Sequence, residues 1–268
     1  MKAFIKTITV ALFFISCGTG NVEILADIPS SLKETSAIEK INDSNILWVI
    51  QDSGNTNHLY GLNLNGDILK DITINNAENI DWEDLTSDSK GNIYIGDFGN
   101  NAENRTSFTI YIVPNAENAK SSVNASIINF TLPDGMNSID FESFFLHNGF
   151  FYVFSKDHKK CELIKVPNKM GNHVASYISK TKLKGKHSKV TSADISDDGK
   201  TVVLLNHSKL WKLTDYTGDD FFNGEIDALE FKHNSQKEGV NLINDNQVLI
   251  TDEFGKFNGG NIYRFILE

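Results

Sequence analysis

The sequence repeats one short phrase, and this repetition restricts the fold more than any other feature. Residues 79–85 (NIDWEDL) and 138–144 (SIDFESF) are two copies of the phrase, and residues 35–37 (TSA) recur at 191–193. Each copy is followed by a polar turn and then by a run rich in β-branched and aromatic residues. Self-similarity of this kind is typical of arrays of equivalent units, so we expect several copies of one small β-rich unit.

Five such units can be assigned, each roughly 45–60 residues long, which is the length of a propeller blade. After the phrase, the predicted second strands are residues 46–51, 92–96, 150–154, 201–205 and 247–251. Third strands are predicted at 58–64, 107–113, 161–166, 209–213 and 261–267, and fourth strands at 68–74, 125–132, 174–181 and 225–231. Helical spacing of apolar residues is hard to find after the leader.

The sequence therefore predicts an all-β protein, a β-propeller of five four-stranded blades, with six blades as the alternative. The last unit has only three strand runs, whereas residues 22–27 (VEILAD) form a strand-like run before the first unit. We expect this N-terminal strand to complete the last blade and close the ring, which removes a free sheet edge. Residues 22–268 are then one domain.

The N-terminus has the organisation of a lipoprotein-type signal peptide, residues 1–16. Lys2 and Lys6 precede a short apolar stretch, 8–15 (ITVALFFI), which ends at Ser16 and Cys17. This resembles a bacterial lipobox, so lipidation is predicted at Cys17, with 17–21 as a tether; an ordinary cleaved signal is the alternative. The protein is expected to be exported and held by the lipid at the cell envelope, at the outer membrane rather than the inner one. Cys161 would then remain a lone thiol.

Charge excludes one large class of partners. The chain has 25 Lys and Arg against 35 Asp and Glu, a formal net charge of −10. An acidic protein without a basic stripe repels phosphate backbones, so we expect no nucleic acid among its partners. The GxSxG, P-loop, GxGxxG and HExxH motifs do not occur, which disfavours common hydrolase, nucleotide, dinucleotide and zinc sites.

Propeller topology predicts which side chains meet at the axis. The start of each first strand and the end of each second strand emerge on the same face, which we call the acidic mouth. The opposite mouth is expected to carry short hairpin turns and little else. The predicted ligand residues of the acidic mouth are Glu34, Asp52, Trp82, Glu83, Asp97, Arg105, Glu142, Lys156, His207, Glu238 and Asp252.

Carboxylates gathered in one mouth repel each other unless a cation or a proton offsets their charge. Calcium suits such a site because it accepts six to eight oxygen ligands in varied geometry. Residues 52–55 (DSGN) and 97–101 (DFGNN) add glycine turns and amide oxygens. Calcium is therefore the predicted cofactor, and its predicted ligands are Asp52, Glu83, Asp97 and Glu142. The alternative is that these acids only accept backbone N–H groups at blade junctions.

The tryptophans divide into two groups. Trp48 and Trp211 lie inside predicted strands and are expected in the core between blades. Trp82 stands between two acidic residues and is a candidate contact for a sugar ring.

Several of these phrases resemble a known family. Residues 34–38 (ETSAI), 52–55, 81–85 (DWEDL) and 96–101 (GDFGNN), followed by Arg105, are similar to exported or lipid-anchored bacterial propellers of the SdiA-regulated-like, DWED-motif type. The resemblance covers residues 34–113, and the rest follows only the blade pattern. It implies a propeller with a calcium site in its mouth, and it implies no established reaction.

Three functions remain open at this stage. The first, which we favour, is a binding propeller whose cation orders its ligand face, with a small molecule, a glycan or an envelope protein as partner. The second is a calcium-dependent hydrolase, phytase-like or lactonase-like, in which Lys156 or Arg105 stabilises developing negative charge. A phosphate substrate would need more positive charge near the site than we find in the sequence. The third is a structural partner in an envelope assembly.

Overall fold

The computed structural model describes residues 19–185, 187–256 and 258–267. These form five sheets whose inner strands contact one another around a central axis. The protein is an all-β, five-bladed propeller, as predicted, and the six-bladed alternative is excluded. Helical structure in the described ranges is limited to two 3₁₀ turns, Ala116–Asn118 and Phe221–Asn223. None of the described helices is long and apolar enough to cross a bilayer.

Each blade has four main strands that run outward from the axis. The inner strands are β2 (Thr35–Glu39), β6 (Trp82–Ser87), β11 (Phe141–His147), β16 (Ser192–Ile195) and β20 (Lys237–Asn244). The second strands are β3 (Leu47–Gln51), β7 (Ile93–Asp97), β12 (Phe150–Ser155), β17 (Val202–Leu205) and β21 (Gln247–Asp252). The third strands are β4 (His58–Leu62), β8 (Ser107–Val113), β13 (Cys161–Pro167), β18 (Lys209–Thr214) and β22 (Asn261–Ile266). The outer strands are β5 (Ile68–Ile74), β10 (Ser126–Thr131), β15 (Ser176–Thr181), β19 (Glu225–Glu230) and, in blade 5, β1 (Glu23–Asp27).

The ring is closed by the N-terminal strand. Strand β1 pairs antiparallel with β22, from Glu23 opposite Arg264 to Asp27 opposite Asn261. The strand itself is largely exposed, but the residues on either side of it, Val22 and Ile28, are buried. This closure confirms the predicted role of residues 22–27, and it leaves blade 5 without an unpaired outer edge at β22.

Two short strands that the sequence analysis did not predict cover other edges. Strand β9 (Ser122–Val123) pairs parallel with β5, and β14 (Gly171–Val174) pairs parallel with β10. Each comes from the following blade, so it adds a fifth strand to its neighbour. Blades 1, 2 and 3 are therefore joined at their outer rims as well as at the axis.

Apolar side chains fill the spaces between neighbouring blades. Trp48 and Trp82 lie in the cluster between blades 1 and 2, and Trp211 lies in the cluster between blades 3 and 4. All three are fully buried, which confirms the prediction for Trp48 and Trp211. Cys161 is a buried free thiol, and burial raises its pKa. Cys17 lies outside the described residues.

Four of the inner strands begin with a β-bulge. The register against the second strand shifts by one residue at Ser36, Glu83, Glu142 and Glu238. A bulge inserts one extra residue opposite its partner strand and turns that side chain away from the regular alternation. In blades 2, 3 and 5 the extra residue is a glutamate, so the bulges explain why three glutamates gather at the acidic mouth.

Candidate functional site

Three carboxylates converge at the acidic mouth between blades 1 and 2. Asp52 follows β3 of blade 1, while Asp81 precedes β6 of blade 2 and Glu83 is its bulged residue. One carboxylate oxygen of each lies within 4.8 Å of the others. Glu83 is buried, and the two aspartates are partly exposed. We call these three residues the carboxylate triad.

The triad contains carboxyl groups that contact each other directly. The carboxyl groups of Asp52 and Asp81 lie close enough to change each other's pKa, and so do those of Glu83 and the neighbouring Glu142. Burial, together with the negative charge of Asp81 and Glu238, raises the pKa of Asp52 to about 6, although the Ser53 N–H opposes this change. Burial and the charges of Glu142, Asp52 and Asp81 raise the pKa of Glu83 well above its usual value. A carboxyl–carboxyl contact needs a proton or a cation between the two groups.

Gly99 allows the loop after β7 to pass directly against the triad. A Cβ atom at this position would lie 2.0 Å from Glu83 Oε1 and 2.5 Å from Asp81 Oδ2. No larger residue fits unless the carboxylates move. The glycine in the predicted 97–101 loop is therefore a packing requirement of the site.

Asp97 and Arg105 hold this loop in place. The Arg105 Nη2 atom lies 2.9 Å from Asp97 Oδ1, and its Nη1 donates to the Gly99 carbonyl oxygen at 2.8 Å. Asp97 also accepts from the N–H groups of Ile80 and Asp81. Burial raises the pKa of Asp97, and Arg105 opposes that change. Both residues are thus engaged in positioning Asp81, and neither belongs to the triad.

Glu142 faces Lys156 in blade 3. Its Oε1 atom lies 2.6 Å from Lys156 Nζ, so the two groups form an ion pair. Burial raises the pKa of Glu142 to about 8, with Asp140 and Glu238 adding to the effect and Lys156 opposing it.

The other predicted mouth residues have partners of their own. Glu34 accepts from Asn55 Nδ2 at 2.7 Å, and Glu238 Oε1 lies 2.9 Å from His207 Nε2. Asp252 is fully buried, where it accepts from the Asn261 N–H and the Tyr263 hydroxyl.

Trp82 does not face the mouth. Its indole is fully buried against Tyr111, and its Nε1 donates to the Glu78 carbonyl oxygen at 3.2 Å. In a strand, neighbouring side chains point to opposite faces, and Trp82 takes the interior face between blades 1 and 2. A sugar ring has no exposed indole surface to contact here.

Two of the predicted mouth residues, Lys156 and His207, belong to a larger basic cluster that the sequence analysis did not predict. A cavity of about 420 Å³ beside the acidic mouth is lined by basic side chains from blades 3 and 4. We call it the cationic pocket, and its basic residues are Lys156, His158, His187, Lys189 and His207. The available signal was residues 180–189 (KTKLKGKHSK), a segment with five lysines in an acidic chain.

The opposite mouth is also more than a set of turns. It contains a cavity of about 360 Å³ next to the buried carboxyls of Glu39 and Asp194. Asn241 Nδ2 lies 3.1 Å from an oxygen of each. Burial raises the pKa of Asp194 to about 7 and that of Glu39 well above its usual value.

Between the two mouths, the buried carboxylate of Asp84 occupies the axis. It accepts from the N–H groups of Leu85, Phe144 and Ala193 at 3.0–3.1 Å and from the Ser192 hydroxyl at 3.0 Å. Ser192 Oγ in turn accepts from the Val240 N–H at 3.0 Å. This network joins the inner strands of blades 2, 3, 4 and 5. Burial raises the pKa of Asp84, and the four donors oppose that change.

Comparison with known proteins supports the fold. No protein-family model matches the sequence, and no curated protein matches it significantly. The PQQ-bound aldose sugar dehydrogenase (Adh) from Streptomyces coelicolor superimposes with a TM-score of 0.51 at 9% identity, over 91% of this chain and 97% of that one. A chain of the nidogen/laminin complex gives a TM-score of 0.52 at 11% identity, over 88% of this chain and 86% of that one. At such low identity these similarities show the fold alone: the chain is a β-propeller.

Proposed function

We propose that this protein is a binding propeller whose acidic mouth takes a calcium ion on the carboxylate triad. The observation that carries the proposal is the convergence of Asp52, Asp81 and Glu83 within 4.8 Å. Calcium binds oxygen at about 2.3–2.6 Å, so ligand oxygens on opposite sides of the ion lie about 5 Å apart. The spread of the triad fits that distance.

The electrostatics of the mouth favour a cation. Two pairs of carboxyl groups contact each other, and burial raises the pKa values of Asp52 and Glu83. Nearby Glu253 adds to the negative charge, and its pKa is raised to about 8 by burial and by Glu238. A divalent ion would compete with protons for these carboxyl groups and relieve their repulsion.

This ligand set differs from the predicted one. Asp97 is paired with Arg105, and Glu142 faces Lys156, so we replace these two ligands by Asp81. Three carboxylates leave coordination positions of a six- to eight-coordinate ion open to water or to a ligand in the mouth. The ion would then order the face on which a partner binds, and it would join blades 1 and 2.

Calcium should stabilise the folded protein. At a hundredfold excess over Kd, binding to the native state contributes roughly 2.7 kcal/mol. For a chain of this size that corresponds to an increase in Tm of about 5–10 °C relative to protein in EDTA. Because protons compete with calcium for Asp52, whose pKa is raised to about 6 by burial, we expect the increase to shrink when the pH is lowered from about 7.5 to about 5. Thermal melts followed by circular dichroism measure both effects.

Two variants distinguish the loss of a calcium ligand from the general effect of removing one negative charge. Glu83→Gln keeps the side-chain volume and should abolish the calcium-dependent increase in Tm. Glu225→Gln makes the same chemical change on the exposed outer strand β19 and should leave the increase intact. A wild-type Tm that is identical in calcium and in EDTA would refute the site, as would an undiminished increase in Glu83→Gln.

Export and lipid anchoring are a second part of the proposal. They rest on the leader sequence and on the resemblance to exported, DWED-motif propellers, since Cys17 lies outside the described residues. In a bacterial host, wild-type protein should incorporate labelled fatty acid and sediment with membranes. Cys17→Ser should do neither, whereas Cys161→Ser should behave as wild type. Absence of label in the wild type would contradict the anchor.

A further inference from the structure

The cationic pocket is an unexpected feature of a protein with a formal net charge of −10. Its five basic residues come from loops that open on the same face as the carboxylate triad. The triad belongs to blades 1 and 2, while the pocket lies at blades 3 and 4. The basic residues of this face are therefore gathered on the side of blades 3 and 4, where Glu142 and Glu238 lie beside two of them.

Hydrogen bonds fix the backbone of the pocket. The Ser188 hydroxyl donates to the His158 carbonyl oxygen at 2.8 Å, and Asn206 Nδ2 donates to the His187 carbonyl oxygen. Asn206 Oδ1 also accepts from the N–H groups of Ser208 and Lys209 at 2.9 and 3.0 Å. The buried Asn206 side chain thus joins two walls of the cavity. The loops that carry the basic side chains are therefore held in place by hydrogen bonds.

Some of the basic residues of the pocket have no carboxylate at ion-pair distance. Lys156 lies beside Glu142, and His207 contacts Glu238. By contrast, no described carboxylate lies within 4.0 Å of Lys189, His158 or His187. An anion entering the cavity would meet Lys189 and the two histidines without displacing an existing ion pair.

The donor types indicate which anion fits. Arginine, which pairs with planar carboxylates through two parallel hydrogen bonds, is not among the lining residues. Lysine and histidine are point donors, and here they approach from several loops, which suits a tetrahedral anion with three or four oxygens. We propose that the cationic pocket binds the phosphate group of a small phosphorylated molecule. A cavity of about 420 Å³ has room for such a molecule.

Inorganic phosphate is the probe that tests this site. Titration calorimetry on the protein from residue 19 onward, at neutral pH and in EDTA, should detect phosphate binding. Acetate at the same concentration should bind much more weakly. Lys189→Ala should weaken phosphate binding about tenfold, because it removes an ammonium group that has no carboxylate within 4.0 Å. Lys90→Ala removes the same charge from a turn at the opposite mouth and should leave the affinity unchanged.

A second measurement locates the bound anion. Phosphate should shift the ring-proton NMR signals of His158 and His187 and leave that of His173, on the outer rim, in place. No binding, equal binding of acetate, or equal loss in Lys90→Ala and in a Lys189→Ala protein with wild-type Tm would each overturn the proposal. Because the titration is done in EDTA, its outcome is independent of whether calcium binds the triad.

Discussion

Deleting residues 19–28 is expected to remove most or all of the stability of the folded protein. The deletion takes away strand β1 and the ladder hydrogen bonds between β1 and β22, each worth about 1 kcal/mol net. It also removes the buried side chains of Val22 and Ile28, which contribute about 1.5–3 kcal/mol each. The sum is on the order of 5–10 kcal/mol, which is comparable to the whole stability of a typical domain. We expect a chain that is largely unfolded or aggregated, as measured by circular dichroism and size-exclusion chromatography.

A circular permutant provides the matched control. Strand β1 is antiparallel to β22, and Glu23 lies opposite Arg264 near the end of β22. Residues 19–28 can therefore be attached after residue 268 through a short glycine–serine linker, in a chain that begins at Pro29. This permutant has the same strands as the wild type and should fold. If the deleted chain melts at the wild-type temperature, ring closure is not what stabilises this propeller.

Replacing Asp84 by alanine should be the most destabilising single substitution among the mouth and axis residues. Four donors from the inner strands of blades 2, 3 and 4 lose their acceptor at a site with no solvent exposure. Buried donors that are left unpaired cost about 1–3 kcal/mol each, partly offset by relaxation, so we expect a loss of about 3–5 kcal/mol. Urea unfolding gives the free energy of unfolding directly.

Asp88→Ala is the comparison that tests the axial role. Asp88 also accepts four hydrogen bonds, from Lys90, Asn92 and Tyr94, but all come from one hairpin, and Asp88 is partly exposed. Water can replace the lost acceptor there, so the expected loss is about 1 kcal/mol. If both variants lose the same free energy of unfolding, the hydrogen bonds that Asp84 makes to several blades have no special importance for stability.

The repeated phrase was sufficient to predict the blades because strand pattern and turn chemistry are local properties. Each predicted second, third and fourth strand overlaps an observed one, and residues 22–27 close the ring as expected. The sequence analysis also placed residues of the DWED phrase at the acidic mouth. What pattern alone could not predict is that its members divide among three environments. Asp81 and Glu83 join the triad, Trp82 enters the core, and Asp84 occupies the axis.

The site was predicted less completely because its contacts join residues far apart in the chain. Asp81 and Glu83 are two residues apart, so strand alternation accounts for their proximity, but it gives no account of how Asp52 of blade 1 comes to lie beside them. Arg105 was a candidate for binding an anion, yet it is occupied by Asp97 and Gly99. The cationic pocket combines loops of blades 3 and 4, and only the folded ring brings His158 and Lys189 to one cavity.

The bulges at the starts of the inner strands allow a side chain to face a ligand without taking part in the packing of a sheet face. In a regular β-strand these two requirements usually conflict. An ordinary strand residue belongs to the pleat, so changing it disturbs the packing on one face. The extra residue in a bulge has no such place in the ladder. It is Ser36 in blade 1 and a glutamate in blades 2, 3 and 5. Substituting this residue in one blade at a time is therefore expected to change what the mouth binds while the pairing of the flanking strand residues stays unaltered.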